Sequence, residues 1–165
     1  MIKSLQQSFI FLSQVIGIPV VDFNTNKKVG RVGDIVVSLK EMYPKATSLV
    51  ISQGFFKKKR LIIGWKNIQK IIGDRAVFII NPQEAVSEPE QLLDNEILLR
   101  DTFWDKQIVD ISGSKVVRVN DLHLLKEDRA LWVVHMDIGF TGLVRRLGCI
   151  NIVQFLVRLV SSYQQ

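Results

Sequence analysis

One cysteine, two histidines and no apolar run of membrane length: the 165-residue chain is short of several ingredients, and each shortage excludes something. A single thiol, Cys149, leaves no internal disulfide framework and fits a reducing compartment. It lies on an apolar stripe, which makes it a packed thiol rather than a reactive one. His123 and His135 lack Cys, Ser or carboxylate partners at the spacing that nucleophilic catalysis or a metal site demands. No glycine-rich phosphate loop and no metal-ligand spacing is present. No uncharged apolar run reaches the ~18 residues that suggest a membrane span. Met1 to Val21 carries one early lysine and an apolar stretch broken by Ser13 and Gln14, with no small-residue cleavage pattern. A signal peptide is therefore not expected, and the chain is expected to be soluble and cytoplasmic. Catalysis has little to stand on.

What is present is a globular composition. Hydrophobic residues make up 47% and charged residues 23%, enough to bury a core, although each half alone would be a marginal domain. Lys and Arg outnumber Asp and Glu by 22 to 16, a net charge of +6. That excess favours nucleic acid, anionic lipid or acidic proteins without choosing among them.

An internal repeat organises the chain. Residues 13–22 (SQVIGIPVVD) and 101–110 (DTFWDKQIVD) each begin with a residue suited to a helix N-cap, Ser13 or Asp101, and each end in Val-Asp after a strand-like run. A polar turn follows in both, and then Val29-Gly30-Arg31-Val32-Gly33-Asp34 faces Val116-Val117-Arg118-Val119-Asn120-Asp121. Ile35 and Val37 match Leu122 and Leu124 at alternate positions, which points them to one face of a strand. A further β-rich run comes next in each copy, with Gly54-Phe55 and Gly139-Phe140 after it. The first copy continues through Leu61-Ile62-Ile63, Gly64-Trp65, an expected helical turn in KNIQKI and a strand from Ala76 to Ile80. Residues 81–96 hold Glu84, Glu88, Glu90, Asp94 and Glu96 with no Lys or Arg, and read as an exposed acidic linker ending in a short helix. From Cys149, Ile152, Val153, Leu156, Leu159, Val160 and Tyr163 recur at helical spacing, with Asn151, Gln154, Arg158 and Gln165 opposite, so an amphipathic helix is expected there.

These residues carry a family likeness. Val20–Asp22, Lys28–Asp34, and Leu61, Trp65 and Ile68 resemble the pattern of the PRC-barrel domain, with Gly64 where the family often has proline. The segments LLRDTFWDKQIVD, KVVRVND and DIGFTGLVRRLG resemble a PRC-barrel subtype that precedes the intracellular and CBS domains of MgtE-type magnesium transporters. In that subtype a tryptophan-bearing strand completes the second barrel, and no such motif is found here up to Gln165. The expected fold is all-β: two tandem PRC-barrel-like units, residues 1–80 and 97–165, joined by the 81–96 linker, with an amphipathic C-terminal helix. The resemblance implies a non-catalytic adaptor, part of a magnesium-transport or metal-sensing assembly at the cytoplasmic face of the membrane. A ribosome maturation factor also carries a PRC-barrel, which keeps an RNA-associated role as the alternative.

Three sets of residues are candidates for binding. Lys57, Lys58, Lys59 and Arg60, beside Phe55 and Phe56, form the densest basic cluster: a phosphate-gripping loop, or a solvated hairpin tip whose lysines discourage edge pairing. Arg145 and Arg146 lie just before the C-terminal stripe, whose Ile152, Val153, Leu156 and Val160 would pack on the barrel or a partner, form a homodimer, or meet a membrane surface. Asp22, Asp34, Asp110 and Asp121 recur in register, Asp34 and Asp121 being the candidates for a metal. They could face a divalent cation, or cap a turn or meet Arg31 and Arg118. No cofactor is expected from the residues themselves; magnesium enters only through the resemblance.

Overall fold

Short runs rich in valine and isoleucine, punctuated by glycine, asparagine and charged pairs, have the length of strands rather than helices. The computed structural model, which describes residues 8–54, 59–72, 75–87, 92–109 and 116–138, is all-β, with a few short helical turns and a sheet curled into a half-barrel. In chain order the first elements are β1 (Ser8–Phe11), α1 (Leu12–Val15), β2 (Pro19–Asp22), β3 (Lys28–Ser38), β4 (Lys45–Gln53) and β5 (Lys59–Gly64). A 3-10 turn at Trp65–Asn67 leads to β6 (Ile68–Ile72) and β7 (Ala76–Ile79), and another at Pro82–Glu84 to β8 (Val86–Ser87). Then come β9 (Glu96–Leu98), α2 (Leu99–Phe103), β10 (Gln107–Val109), β11 (Val116–Glu127) and β12 (Ala130–Ile138).

Hydrogen-bonded neighbours run β1-β11-β12-β4-β3-β2-β7-β6, with β10 on β11, β5 on β4, β8 on β5 and β9 on β3. The succession strand, helical turn, short strand, long strand, long strand occurs twice, as β1-α1-β2-β3-β4 and as β9-α2-β10-β11-β12. The two runs exchange their first strands. β1 pairs with β11, Ser8 opposite Lys126 and Phe11 opposite His123, while β9 pairs with β3, Leu98 opposite Val36. Register breaks fall at matching places as well: between Val32 and Asp34 and between Val36 and Val37 in β3, and between Val119 and Asp121 and between His123 and Leu124 in β11. Each such irregularity bends its strand and adds twist, which helps to curl the sheet.

One hydrophobic cluster passes through both runs, from Ile10 and Leu12 to Met136 and Ile138. Burying each large side chain in it contributes ~1.5–3 kcal/mol, which a domain made of one run would have in short supply. Further ties join the second run to the segment that follows β4. Trp65 Nε1 donates to the Arg129 carbonyl at 2.7 Å, and Lys126 Nζ to the Ile71 carbonyl at 3.1 Å.

Two local expectations are corrected. The helical turn in KNIQKI stops at Asn67, and Ile68–Ile72 is a strand paired with β7; Ile68 and Ile71 are spaced as on a helix, but cross-strand pairing decides their state. The described ends of the 81–96 stretch are paired with the sheet rather than free, although residues such as Val86 and Leu93 are exposed. Val86 pairs with Ile62, Glu96 with Ser38, and the Leu39 N–H bonds the Asn95 carbonyl; the short helix lies beyond, at Leu99–Phe103. Strands of two or three residues carry no periodicity to read. Ile35 and Leu122 hold matching positions, opposite Leu49 and Met136, and Gly54 directly follows β4, while Phe55, Gly139 and Phe140 lie outside the described residues.

Candidate functional site

The recurring aspartates are the first candidates, and the exchanged strands determine what they meet. Asp34 follows Gly33 at the register break in β3; a Cβ on Gly33 would lie 2.3 Å from Ser52 Oγ, so the strands approach closely there. Its carboxylate is fully buried. Oδ1 accepts from the N–H groups of Ile35 and Arg100, both at 2.7 Å, and Oδ2 from that of Asp101 at 3.0 Å. Asp121 does the same for the other run: Oδ1 accepts from the N–H groups of Leu122 (2.8 Å) and Ser13 (3.1 Å), and Oδ2 from Ser13 Oγ (2.5 Å). Each long strand thus supplies the acceptor for the first turn of the other run's helical segment.

Ser13 and Asp101 are accordingly not N-caps. They lie inside α1 and α2, after Phe11 and Leu98 in the cap position, and the capping oxygen comes from a strand distant in sequence. Arg31 and Arg118 do not meet the aspartates either: Arg31 Nη1 donates to the Gly17 carbonyl at 2.8 Å, and Arg118 pairs with Asp105. Burial pushes the Asp34 carboxyl up to about 6, against the opposing pull of its three N–H donors. Asp22 caps the β2–β3 turn, and its hydrogen bonds from Thr25 Oγ1 and the Asn24 N–H hold its carboxyl below the ordinary value. Among the described residues, no group of three or more His, Cys, Asp or Glu is placed to hold a metal ion.

Of the basic cluster, Lys59 is exposed at the start of β5, whereas Arg60 turns back, its Nη1 2.9 Å from Asp101 Oδ2 on α2. Lys57, Lys58, Arg145 and Arg146 lie outside the described residues, as do Asp110, Cys149 and the stripe residues Ile152, Val153, Leu156 and Val160.

The surface that sequence reasoning missed lies on the outer side of β1, β11 and β12. Along β12, Leu131, Val133, Met136 and Ile138 are buried in the core, while Trp132, Val134, His135 and Asp137 are half-exposed. Phe9 and Phe11 on β1 are 69% and 40% exposed. An open trough of about 420 Å³ is lined by Phe9, Tyr43, Leu125, Glu127, Trp132 and Val134. Lys45 Nζ stands 4.7 Å from the Trp132 ring centroid. Beside it the Phe11 ring meets His123 edge-on at 4.3 Å, and His123 and His135 are 5.1 Å apart, so both histidines belong to an aromatic row across three strands. One signal was legible: Leu131-Trp132-Val133-Val134 is apolar at every position, the pattern of a strand covered on both faces.

The PRC-barrel domain family matches residues 8–85, so a PRC-barrel domain is found in the first part of the chain. No curated protein matches the chain.

Proposed function

We propose that the protein is a non-catalytic adaptor that offers the outer face of β1, β11 and β12 to a protein partner. The observation that carries this reading is the aromatic trough of Phe9, Tyr43, Leu125 and Trp132, since contiguous exposed apolar surface with a polar rim is the mark of an interaction site. The second run is read as a further PRC-barrel-like unit. The matching register breaks and the reciprocal caps of Asp34 and Asp121 support that reading. Its resemblance to segments preceding MgtE-type domains makes a magnesium-transport or metal-sensing assembly at the cytoplasmic membrane face the proposed setting. In this reading the aspartates hold the module together, and partner recognition falls to the trough.

A photo-crosslinking residue placed at Trp132, with one at exposed Lys28 as control, tests the proposal in the source cells. The expected result is a defined protein adduct from position 132 alone, reduced by adding the soluble domain of a magnesium transporter. Equal labelling from both positions, or adducts removed by ribonuclease, would overturn it, the latter in favour of an RNA-associated role.

A further inference from the structure

The trough is open on a strand whose apolar residues point to both sides, and the chain itself holds an apolar stripe of matching character. We infer that residues 149–163 dock in cis on the outer face of β1, β11 and β12, so that an external partner must displace them. This rests on the reading of that face as a docking surface.

Three observations converge. The first is a contrast between the two runs. The positions of the first run that correspond to His123 and Asp137 are Val36 and Val50, fully buried although they lie outside the central cluster, so that face is covered there. On the corresponding face of the second run His123 and Asp137 are half-exposed, and β1, which pairs with β11 there, holds Phe9 and Phe11 in the open. The second is chain order. After β4 the chain returns as β5, which lies along β4 from Ser48 to Gln53. Among the described residues, β12 has no strand on that edge beyond Val133, where the N–H bonds the Pro44 carbonyl. The residues that follow β12 in sequence are those that lead into the stripe.

The third is composition and reach. Ile152, Val153, Leu156, Leu159, Val160 and Tyr163 would set an aliphatic row against the rings of Phe9, Tyr43 and Trp132. Fifteen residues in helical form measure ~22 Å, enough to cross the three strands, which lie ~4.8 Å apart. The ten connecting residues 139–148 can span up to ~33 Å, while Ile138 to Trp132 along β12 is ~20 Å.

Since Cys149 lies on the stripe itself, it is replaced by serine, and a single cysteine is placed at Gln154, on the polar side. A nitroxide is attached there in the full-length, isotopically labelled protein, which is then diluted into excess unlabelled, unmodified protein. The amide signals of Phe9, Leu125, Trp132 and Val134 are expected to broaden, those of Val77 and Ile79 in β7 to stay sharp, and Leu156→Asp to abolish the broadening. Loss of the effect on dilution, with transfer between separately labelled chains, would assign the face to a second copy and overturn the inference. So would broadening that is absent without anionic vesicles, or absent altogether. Crosslinking from position 132 keeps the two readings apart. If the nitroxide gives no broadening but position 132 still captures its partner, self-docking fails and the adaptor reading survives. If self-docking holds, deleting residues 149–165 raises capture several-fold.

Discussion

Replacing Asp34 by Asn should make the protein's stability depend less on pH, and the direction can be worked out from the site. The carboxyl is fully buried and titrates at about 6 in the folded chain, against an ordinary value of 3.8. Between those two values the folded state keeps a proton that the unfolded state has released. Stability on account of this group is therefore highest in acid, falls as pH rises from about 4, and has lost its full share once pH passes about 6. At ~1.36 kcal/mol per pH unit, the full share is about 3 kcal/mol. Asparagine retains Oδ1 for the N–H groups of Ile35 and Arg100 but presents an amide to that of Asp101, at a cost of ~1–3 kcal/mol that does not titrate. Urea unfolding of both proteins at pH 4.5 and 7.5, taken as a difference, cancels every other titrating group. About 1 kcal/mol of the share has already gone at pH 4.5, so between the two pH values the Asn variant should gain about 2 kcal/mol relative to wild type. A deficit that stays constant across the range would refute the burial argument.

Gly30→Ala should lower Tm by several degrees, because the new Cβ would sit 2.6 Å from buried Ile51 Cγ2 and 2.8 Å from the Ser52 carbonyl oxygen; overpacking of ~1–3 kcal/mol translates to ~2–4 °C per kcal/mol in a chain of this size. An unchanged calorimetric Tm would mean that β3 and β4 can separate freely. Residues 1–95 expressed alone should not melt cooperatively, since they lack β9 and the α2 N–H groups that Asp34 accepts; adding residues 96–165 should restore a single transition, and a native-like melt of the first fragment by itself would contradict the exchange.

The strands and their faces were legible because alternation survives in single residues. Ile35 and Val37, or Leu122 and Leu124, declare a core side without any knowledge of the partner strand. The recurrence of Asp34 and Asp121 was legible too, and so was capping as their alternative role. Which helical turn each one caps was not. Nothing in Ser8–Phe11 or Glu96–Leu98, three or four residues long, says that the strand belongs to the other run; the pairing is fixed by tertiary packing. The trough escaped for a related reason. Phe9 and Trp132 are far apart in sequence, and only the exchange of β1 brings them to one face.

That exchange also sets an order of events at birth. Ser8–Phe11 leaves the ribosome more than a hundred residues before its partner Val116–Glu127. Until then the first strand waits with its backbone groups unpaired, and β3 waits for Glu96–Leu98. Contacts of such sequence separation slow folding, so the nascent chain passes through a long interval in which its strand edges are open to other molecules. Translation speed and chaperone supply should therefore weigh heavily on the yield of this fold.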